Sequence, residues 1–200
     1  EGSSDGNPLW SPDGSRLVYS SDRSGAQAMW SKSASGMGDD QMVTKVAGDG
    51  AASDWSRDGR YVLYHATSAG TGADIWLIPM TGSDHTPKPL VRTPFIEVRA
   101  RFSPDGRWVA YESNESQQFE IFVIPFPGPG GKRLISTNGG VFPRWRRDSK
   151  EIFYVRPDGT LMAVDVALNP SSIDVGAVRS LGITVPAGRG LAYDVSLDGE

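Results

Sequence analysis

The chain repeats itself, and the repeat limits what it can fold into more than any single residue does. An aromatic residue followed by Ser, Pro, Asp and Gly occurs as Trp10-Ser11-Pro12-Asp13-Gly14 and Phe102-Ser103-Pro104-Asp105-Gly106, and with one change as Trp55-Ser56-Arg57-Asp58-Gly59. Trp145-Arg146-Arg147-Asp148-Ser149 and Val195-Ser196-Leu197-Asp198-Gly199 are more divergent copies. Their first positions lie 45, 47, 43 and 50 residues apart. A period of that size marks an array of supersecondary units that bury their apolar faces on one another.

Each copy is followed by an apolar segment that reads as a second strand: Leu17-Val18-Tyr19, Tyr61-Val62-Leu63-Tyr64, Trp108-Val109-Ala110-Tyr111 and Ile152-Phe153-Tyr154-Val155. Third strands follow at Ala28-Met29-Trp30, Asp74-Ile75-Trp76-Leu77-Ile78, Glu120-Ile121-Phe122-Val123-Ile124 and Leu161-Met162-Ala163-Val164. Fourth strands are expected at Met42-Val43-Thr44-Lys45-Val46, Lys88-Pro89-Leu90-Val91, Lys132-Arg133-Leu134-Ile135 and Val178-Arg179-Ser180-Leu181. The second and third strands are apolar without alternation, so both of their faces are covered. A two-layer sandwich would leave one face of each sheet wet, whereas blades stacked around an axis cover both. The expectation is an all-β chain, a β-propeller of four-stranded antiparallel blades, with four complete blades in one region over residues 1–200 and the first strand of a fifth. Lys45, Lys88, Lys132 and Arg133 suit an exposed edge, where charge opposes strand-to-strand association.

The shared motif has a mechanical reading. Pro pre-sets φ in the second turn position, Asp bonds nearby backbone and Gly accepts positive φ, so the segment is a hairpin turn between first and second strands. The 24 Gly and 14 Pro of the chain fit many such turns. Calcium is a poor alternative, because one carboxylate per repeat does not supply the oxygens that ion needs. In the fourth copy Arg147 replaces Pro and Ser149 replaces Gly, so a less favourable or differently shaped turn is expected there.

Composition removes several classes of function. A net charge of −4 gives no positive field for a phosphate backbone, so nucleic acid is not an expected partner. The absence of Cys excludes thiolate chemistry and Cys-ligated zinc or iron–sulfur sites. No apolar run approaches the roughly 20 residues of a membrane-spanning helix, so no membrane contact by this segment is expected.

Isolated motifs read as coincidence or scaffold. Gly2-Ser3-Ser4-Asp5-Gly6 matches the nucleophile elbow of hydrolases in letters but lacks the strand before it and the helix after it. Gly128-Pro129-Gly130-Gly131-Lys132 lacks the first Gly of a phosphate-binding loop and is expected to be a connector. His65, read at the end of a second strand, and His85, in a polar loop, fall on opposite faces and share no metal. Arg144, Arg146, Arg147 and Lys150 surround Trp145 in a basic cluster, read as a solvated turn around a core aromatic. No catalytic residues, metal or cofactor are expected.

The residue before each repeat aromatic varies: Leu9, Asp54, Arg101, Arg144 and Asp194. Opposite charges fall in successive copies, so Asp54 with Arg101 and Arg144 with Asp194 are expected to pair between blades, with Glu97 and Arg99 near the channel mouth. Such pairs fix blade register; the functional alternative is a polar funnel for an anionic or peptide ligand.

The repeat, with its Val-Ala-Tyr-like second strand and Ile-Trp/Phe-Val-like third strand, resembles the TolB-type and WD-like propeller repeats over essentially the whole chain. Arg101 to Tyr111, continuing through Val123-Ile124-Pro125-Phe126-Pro127-Gly128, together with Pro143 to Asp148, looks like the propellers attached to bacterial eukaryotic-like serine/threonine kinases. That resemblance implies a non-catalytic sensing or binding module outside the cytoplasmic membrane, meeting a protein or small-molecule ligand at the channel mouth. It also implies six blades in the intact propeller, of which these residues are an excerpt; a compact four-bladed ring is the alternative. The propeller of a prolyl oligopeptidase-type peptidase and a TolB-like periplasmic scaffold are the competing roles.

Overall fold

A computed structural model describes residues 3–128, 130–186 and 193–196. Among these the chain forms sixteen strands and no helix, so none is long and apolar enough to cross a membrane. The strands make four four-stranded sheets in simple sequence order. Blade 1 holds β1 (Asp5–Trp10), β2 (Arg16–Ser21), β3 (Ala28–Ser33) and β4 (Gln41–Lys45); blade 2 holds β5 (Gly50–Trp55), β6 (Tyr61–Ser68), β7 (Gly72–Pro79) and β8 (Lys88–Val91). Blade 3 holds β9 (Glu97–Phe102), β10 (Trp108–Ser113), β11 (Glu120–Pro125) and the two-residue β12 (Arg133–Leu134). Blade 4 holds β13 (Val141–Trp145), β14 (Glu151–Val155), β15 (Thr160–Leu168) and β16 (Ile173–Thr184). The chain divides into two compact units, Glu1–Ala100 and Arg101–Glu200. The fold is a β-propeller of four blades.

The repeated motif builds the same turn each time. In blade 1 the Gly14 N–H donates to Ser11 O at 2.9 Å and the Ser11 N–H to Arg16 O at 2.8 Å. The Ser11 hydroxyl donates to Asp13 Oδ1 at 2.6 Å while its oxygen accepts the Arg16 N–H at 2.9 Å. Asp13 Oδ1 also accepts the Ser15 N–H. Ser56, Asp58 and Gly59 reproduce this set, as do Ser103, Asp105 and Gly106. The hydroxyl of Ser11, with the amide and hydroxyl of Ser15, pulls the Asp13 carboxyl down to about 2. These carboxylates are thus consumed by the turn, which is why their recurrence carries no chemistry of its own.

The fourth copy decides between the two expectations for it: the turn is less favourable, not differently shaped. Its turn keeps the shape of the others: Ser149 N–H donates to Arg146 O, Arg146 N–H to Glu151 O, and Lys150 N–H to Asp148 Oδ1. Ser149 takes φ 62°, close to the 68–74° of Gly14, Gly59 and Gly106. The ladder and Asp148 impose the left-handed backbone on a residue that disfavours it, and an Arg146–Glu151 ion pair at 2.8 Å stands where the other copies use serine.

The core lies between blades. In unit 1, Val18 and Met29 of blade 1 and Val46 after it pack with Trp55, Val62, Tyr64 and Ile78 of blade 2. In unit 2, Trp108, Ile121 and Val123 of blade 3 pack with Trp145, Ile152, Tyr154 and Val164 of blade 4. The repeat aromatics Trp55, Phe102 and Trp145 are buried, whereas Trp10 is 58% exposed. Trp55 and Trp145 each lie against an earlier blade of their own unit.

The turn account predicts opposite responses to two small substitutions. Ser149→Gly should stabilise the chain by a few tenths to about 1 kcal/mol by removing left-handed strain, and Gly59→Ala should destabilise it by about 1 kcal/mol. Urea unfolding followed by tryptophan fluorescence reads both.

Candidate functional site

The first strands of the blades are irregular at one recurring place. Three residues before the repeat aromatic, Asn7, Arg99 and Phe142 have φ of 52°, 53° and 59°. Register shifts fall between Gly6 and Leu9, between Ala52 and Asp54, and between Val141 and Arg144. A bulge of this kind removes a residue from the ladder and re-aims the side chains beside it. Pro8 and Pro143 occupy two of the bulges, where a missing N–H is tolerated. The charged residues before the aromatics therefore leave a bulge, not a regular strand.

In unit 2 the bulge is tied down by residues distant in sequence. The Phe142 N–H donates to Glu112 Oε1 at 2.7 Å, and Phe142 O accepts the Tyr193 hydroxyl at 2.6 Å. Glu112 is fully buried on β10. Both main-chain groups that Phe142 loses from the ladder are satisfied by side chains from blade 3 and from the segment after blade 4. Burial holds the Tyr193 hydroxyl far above its ordinary titration range, and the nearby Arg144 and Arg101 charges only partly oppose this.

Arg144, beside this knot, is 9% exposed. Its guanidinium lies 5.8 Å from the Tyr193 ring centroid, its Nη1 donates to Pro143 O at 2.9 Å, and its Nε is 3.7 Å from Asp194 Oδ1. The Asp194 side chain is 92% exposed. Arg101 is half-buried, and its carbonyl accepts the Trp145 Nε1–H at 3.2 Å. Of the sequence candidates, the structure thus brings Arg144 to Asp194 and sets Arg101 beside Trp145. Of the basic cluster, Arg146 is committed to Glu151 and Asp148, and Trp145 is buried.

The remaining candidates lie in unit 1. Asp54 is half-buried opposite Leu63. Glu97 is buried and accepts the Thr93 hydroxyl, and Arg99 is exposed. His65 is corrected: it sits within β6, opposite Ala51 and Ile75, because the β6–β7 hairpin runs on to Ser68. Its Nδ1 is buried without a hydrogen-bond partner among the described residues. Burial first, and the Arg99 charge second, push its pKa from 6.5 down to about 4. His85 Nδ1 lies 2.7 Å from Pro79 O. Among the described residues no group of three or more His, Cys, Asp or Glu side chains is placed to hold a metal. Gly2 of the elbow-like pentapeptide, Pro129 of the glycine-rich connector, and Leu197 to Gly199 of the fifth copy lie outside the described residues.

Sequence reasoning missed the buried carboxylates. Asp74, the third residue of β7, and Glu120, the first of β11, each stand just before an Ile-aromatic pair. Asp74 accepts the Thr71 hydroxyl, and Glu120 accepts Gly139 N–H and Gln118 Nε2–H, each at 2.8 Å, and the Ser136 hydroxyl. Their equal place in two repeats was the available signal. They lock loops to strands.

Fold and site together define a β-propeller repeat protein of TolB-like architecture. Among solved structures the chain is similar to a putative TolB from Agrobacterium tumefaciens, with a TM-score of 0.68 and 19% identity over 84% of this chain and 63% of that one. It is similar to TolB from Acinetobacter baumannii with a TM-score of 0.67 and 21% identity, over 86% of this chain and 43% of that one. A puromycin-hydrolyzing peptidase of Mycobacterium tuberculosis matches with a TM-score of 0.63 and 12% identity over 89% of this chain and 30% of its own length. The chain thus spans less than two thirds of each. No protein-family model and no curated protein matches it.

His65 gives the chain a pH dependence of known sign. The unfolded chain takes up a proton at His65 near pH 6.5 and the folded chain only near 4, so this contribution is complete above 6.5 and is lost as pH falls toward 4. The loss is at most about 3 kcal/mol. His65→Leu should flatten the stability curve between pH 6.5 and 4.5, measured by urea unfolding at a series of pH values.

Proposed function

We propose that these blades form a non-catalytic binding module that holds a protein or peptide partner through the non-repeated residues around Arg144. The observation that carries this reading is the Arg144–Asp194 pair. Arg144, 9% exposed, is held against Tyr193 and Pro143, and Asp194, a carboxylate whose side chain is 92% exposed, lies 3.7 Å from it. A loosely held internal carboxylate is a stand-in for an incoming one, and a ligand carboxylate that displaces it gains shorter, bidentate bonds to a preoriented arginine. Arg101, on the neighbouring first strand, adds positive charge to the same surface.

In its specific form the proposal is the sensor part of a bacterial membrane-bound serine/threonine kinase, lying outside the cytoplasmic membrane. The resemblance of residues 101–128 and 143–148 to kinase-attached propellers supports that form. A second reading, in which the blades control access to a peptidase domain, is favoured by the similarity to the puromycin-hydrolyzing peptidase and to a prolyl endopeptidase propeller. Both readings use a peptide-binding surface.

Fluorescence anisotropy with a labelled acidic peptide pool tests the shared element. Arg144→Gln with Arg101→Gln should weaken binding at least about tenfold, and Asp194→Asn, on an exposed side chain, should strengthen it by removing the competitor. Unchanged binding in both variants contradicts the proposal.

A further inference from the structure

The five methionines of the chain divide between core and groove. Met29, Met80 and Met162 are buried in the core between blades. Met80 also lines one groove of roughly 480 Å3 in unit 1, together with Met37, Met42 and His85. Met80 is buried directly after β7, Met42 is exposed on β4, and Met37 is 75% exposed in the β3–β4 connection. Gly36 and Gly38, both with left-handed backbone, flank Met37.

The composition of the groove distinguishes between an apolar docking surface and a sulfur site. Beyond the methionines its walls are mainly Ser31, Ser33, Gln41 and Asp39, and Val43 is the sole aliphatic side chain. An apolar partner would meet hydroxyls and an amide over much of that surface. The one permanent cation in the wall, Arg16, has its guanidinium over the Trp55 ring at 5.8 Å.

His85 is oriented as a ligand would be. Its Nδ1 lies 2.7 Å from Pro79 O, and a carbonyl oxygen only accepts, so Nδ1 carries the hydrogen. The neutral ring then presents its lone pair at Nε2. A second hydrogen bond of this type, from the distal ring nitrogen to a backbone carbonyl, fixes tautomer and ring direction in metal-binding histidines. Thioether sulfur is soft and selects Cu(I) over zinc, calcium or magnesium, and imidazole nitrogen also suits copper.

We propose that Met37, Met42, Met80 and His85 form a Cu(I)-binding site, with three thioether sulfurs and His85 Nε2 as the ligand set and the Gly36–Gly38 connection bringing Met37 onto the ion. The site is separate from the Arg144 surface and does not depend on it. The chain contains no Cys, so no thiolate competes for the ion and any tight Cu(I) binding must come from Met and His.

The test is an anaerobic titration of the chain with Cu(I) in competition with bicinchoninate, alongside Ag(I) titration of a sample carrying 13C-methyl methionine. A single Cu(I) should bind with a Kd below about 1 μM, and Ag(I) should shift the methyl signals of Met37, Met42 and Met80 but not of Met29 or Met162. Met37→Leu with Met42→Leu conserves volume at exposed positions, and it should weaken Cu(I) binding at least about tenfold, as should His85→Gln. Thermal unfolding of the metal-free variants checks that their fold is unchanged. The proposal is overturned if Cu(I) stays with the competitor, if the Met37→Leu/Met42→Leu chain binds as tightly as the parent, or if Ag(I) shifts only Met29 and Met162.

Discussion

The second strands of blades 3 and 4 have no side left for water, and the rest of the structure follows from that. All six residues of β10 and all five of β14 are buried. A single four-stranded sheet with such strands would expose apolar surface on both faces, at about 25 cal/mol for every Å2 left wet. Stacking blade on blade removes the penalty, as Trp108, Ile121, Trp145 and Ile152 do in unit 2. The turns need only hold each blade's strands in register while the faces meet, and one serine-aspartate-glycine device suffices in blades 1, 2 and 3, with Arg146, Asp148 and Ser149 making the same turn in blade 4.

That division of labour separates what repeats from what can be specific. The turn aspartates are spent on serine hydroxyls and main-chain amides. The bulged first strands are different, because each bulge frees main-chain groups that must find partners of their own. At Phe142 these are Glu112 and Tyr193, and the same arrangement seats Arg144 between an aromatic ring and an exposed carboxylate. Variation between copies is concentrated where the ladder is interrupted.

The legibility of the sequence divides along the same line. Continuous apolar runs announced the second and third strands because burial of both faces is a local property of composition, and the turn was readable because Pro, Asp and Gly each act on their own backbone. The bulges were not readable: neither Arg99 nor Phe142 favours positive φ, and the conformation is imposed by contacts from residues as distant as Tyr193. Of the two outcomes open for Ser149, a strained turn or a reshaped one, the structure has the strained one, since the surrounding ladder overrides the residue's preference. The place of His65 was misread because strand length in the β6–β7 hairpin is set by pairing with Gly72–Ile78, not by the apolar run that ends at Tyr64. A further Pro-Asp-Gly turn, closed by Gly159 N–H on Arg156 O between β14 and β15, shows the same device reused outside the repeat position.

Scaffold becomes site at the Phe142 knot, and native-state hydrogen exchange at the Phe142 amide tests this most directly. An amide outside the ladder ordinarily exchanges fast. Here it should be protected to a degree comparable with the amides of β14, and Tyr193→Phe, which removes the hydroxyl from Phe142 O, should lower that protection while leaving β14 unchanged. A Phe142 amide that exchanges as fast as those of the exposed turns would contradict the account.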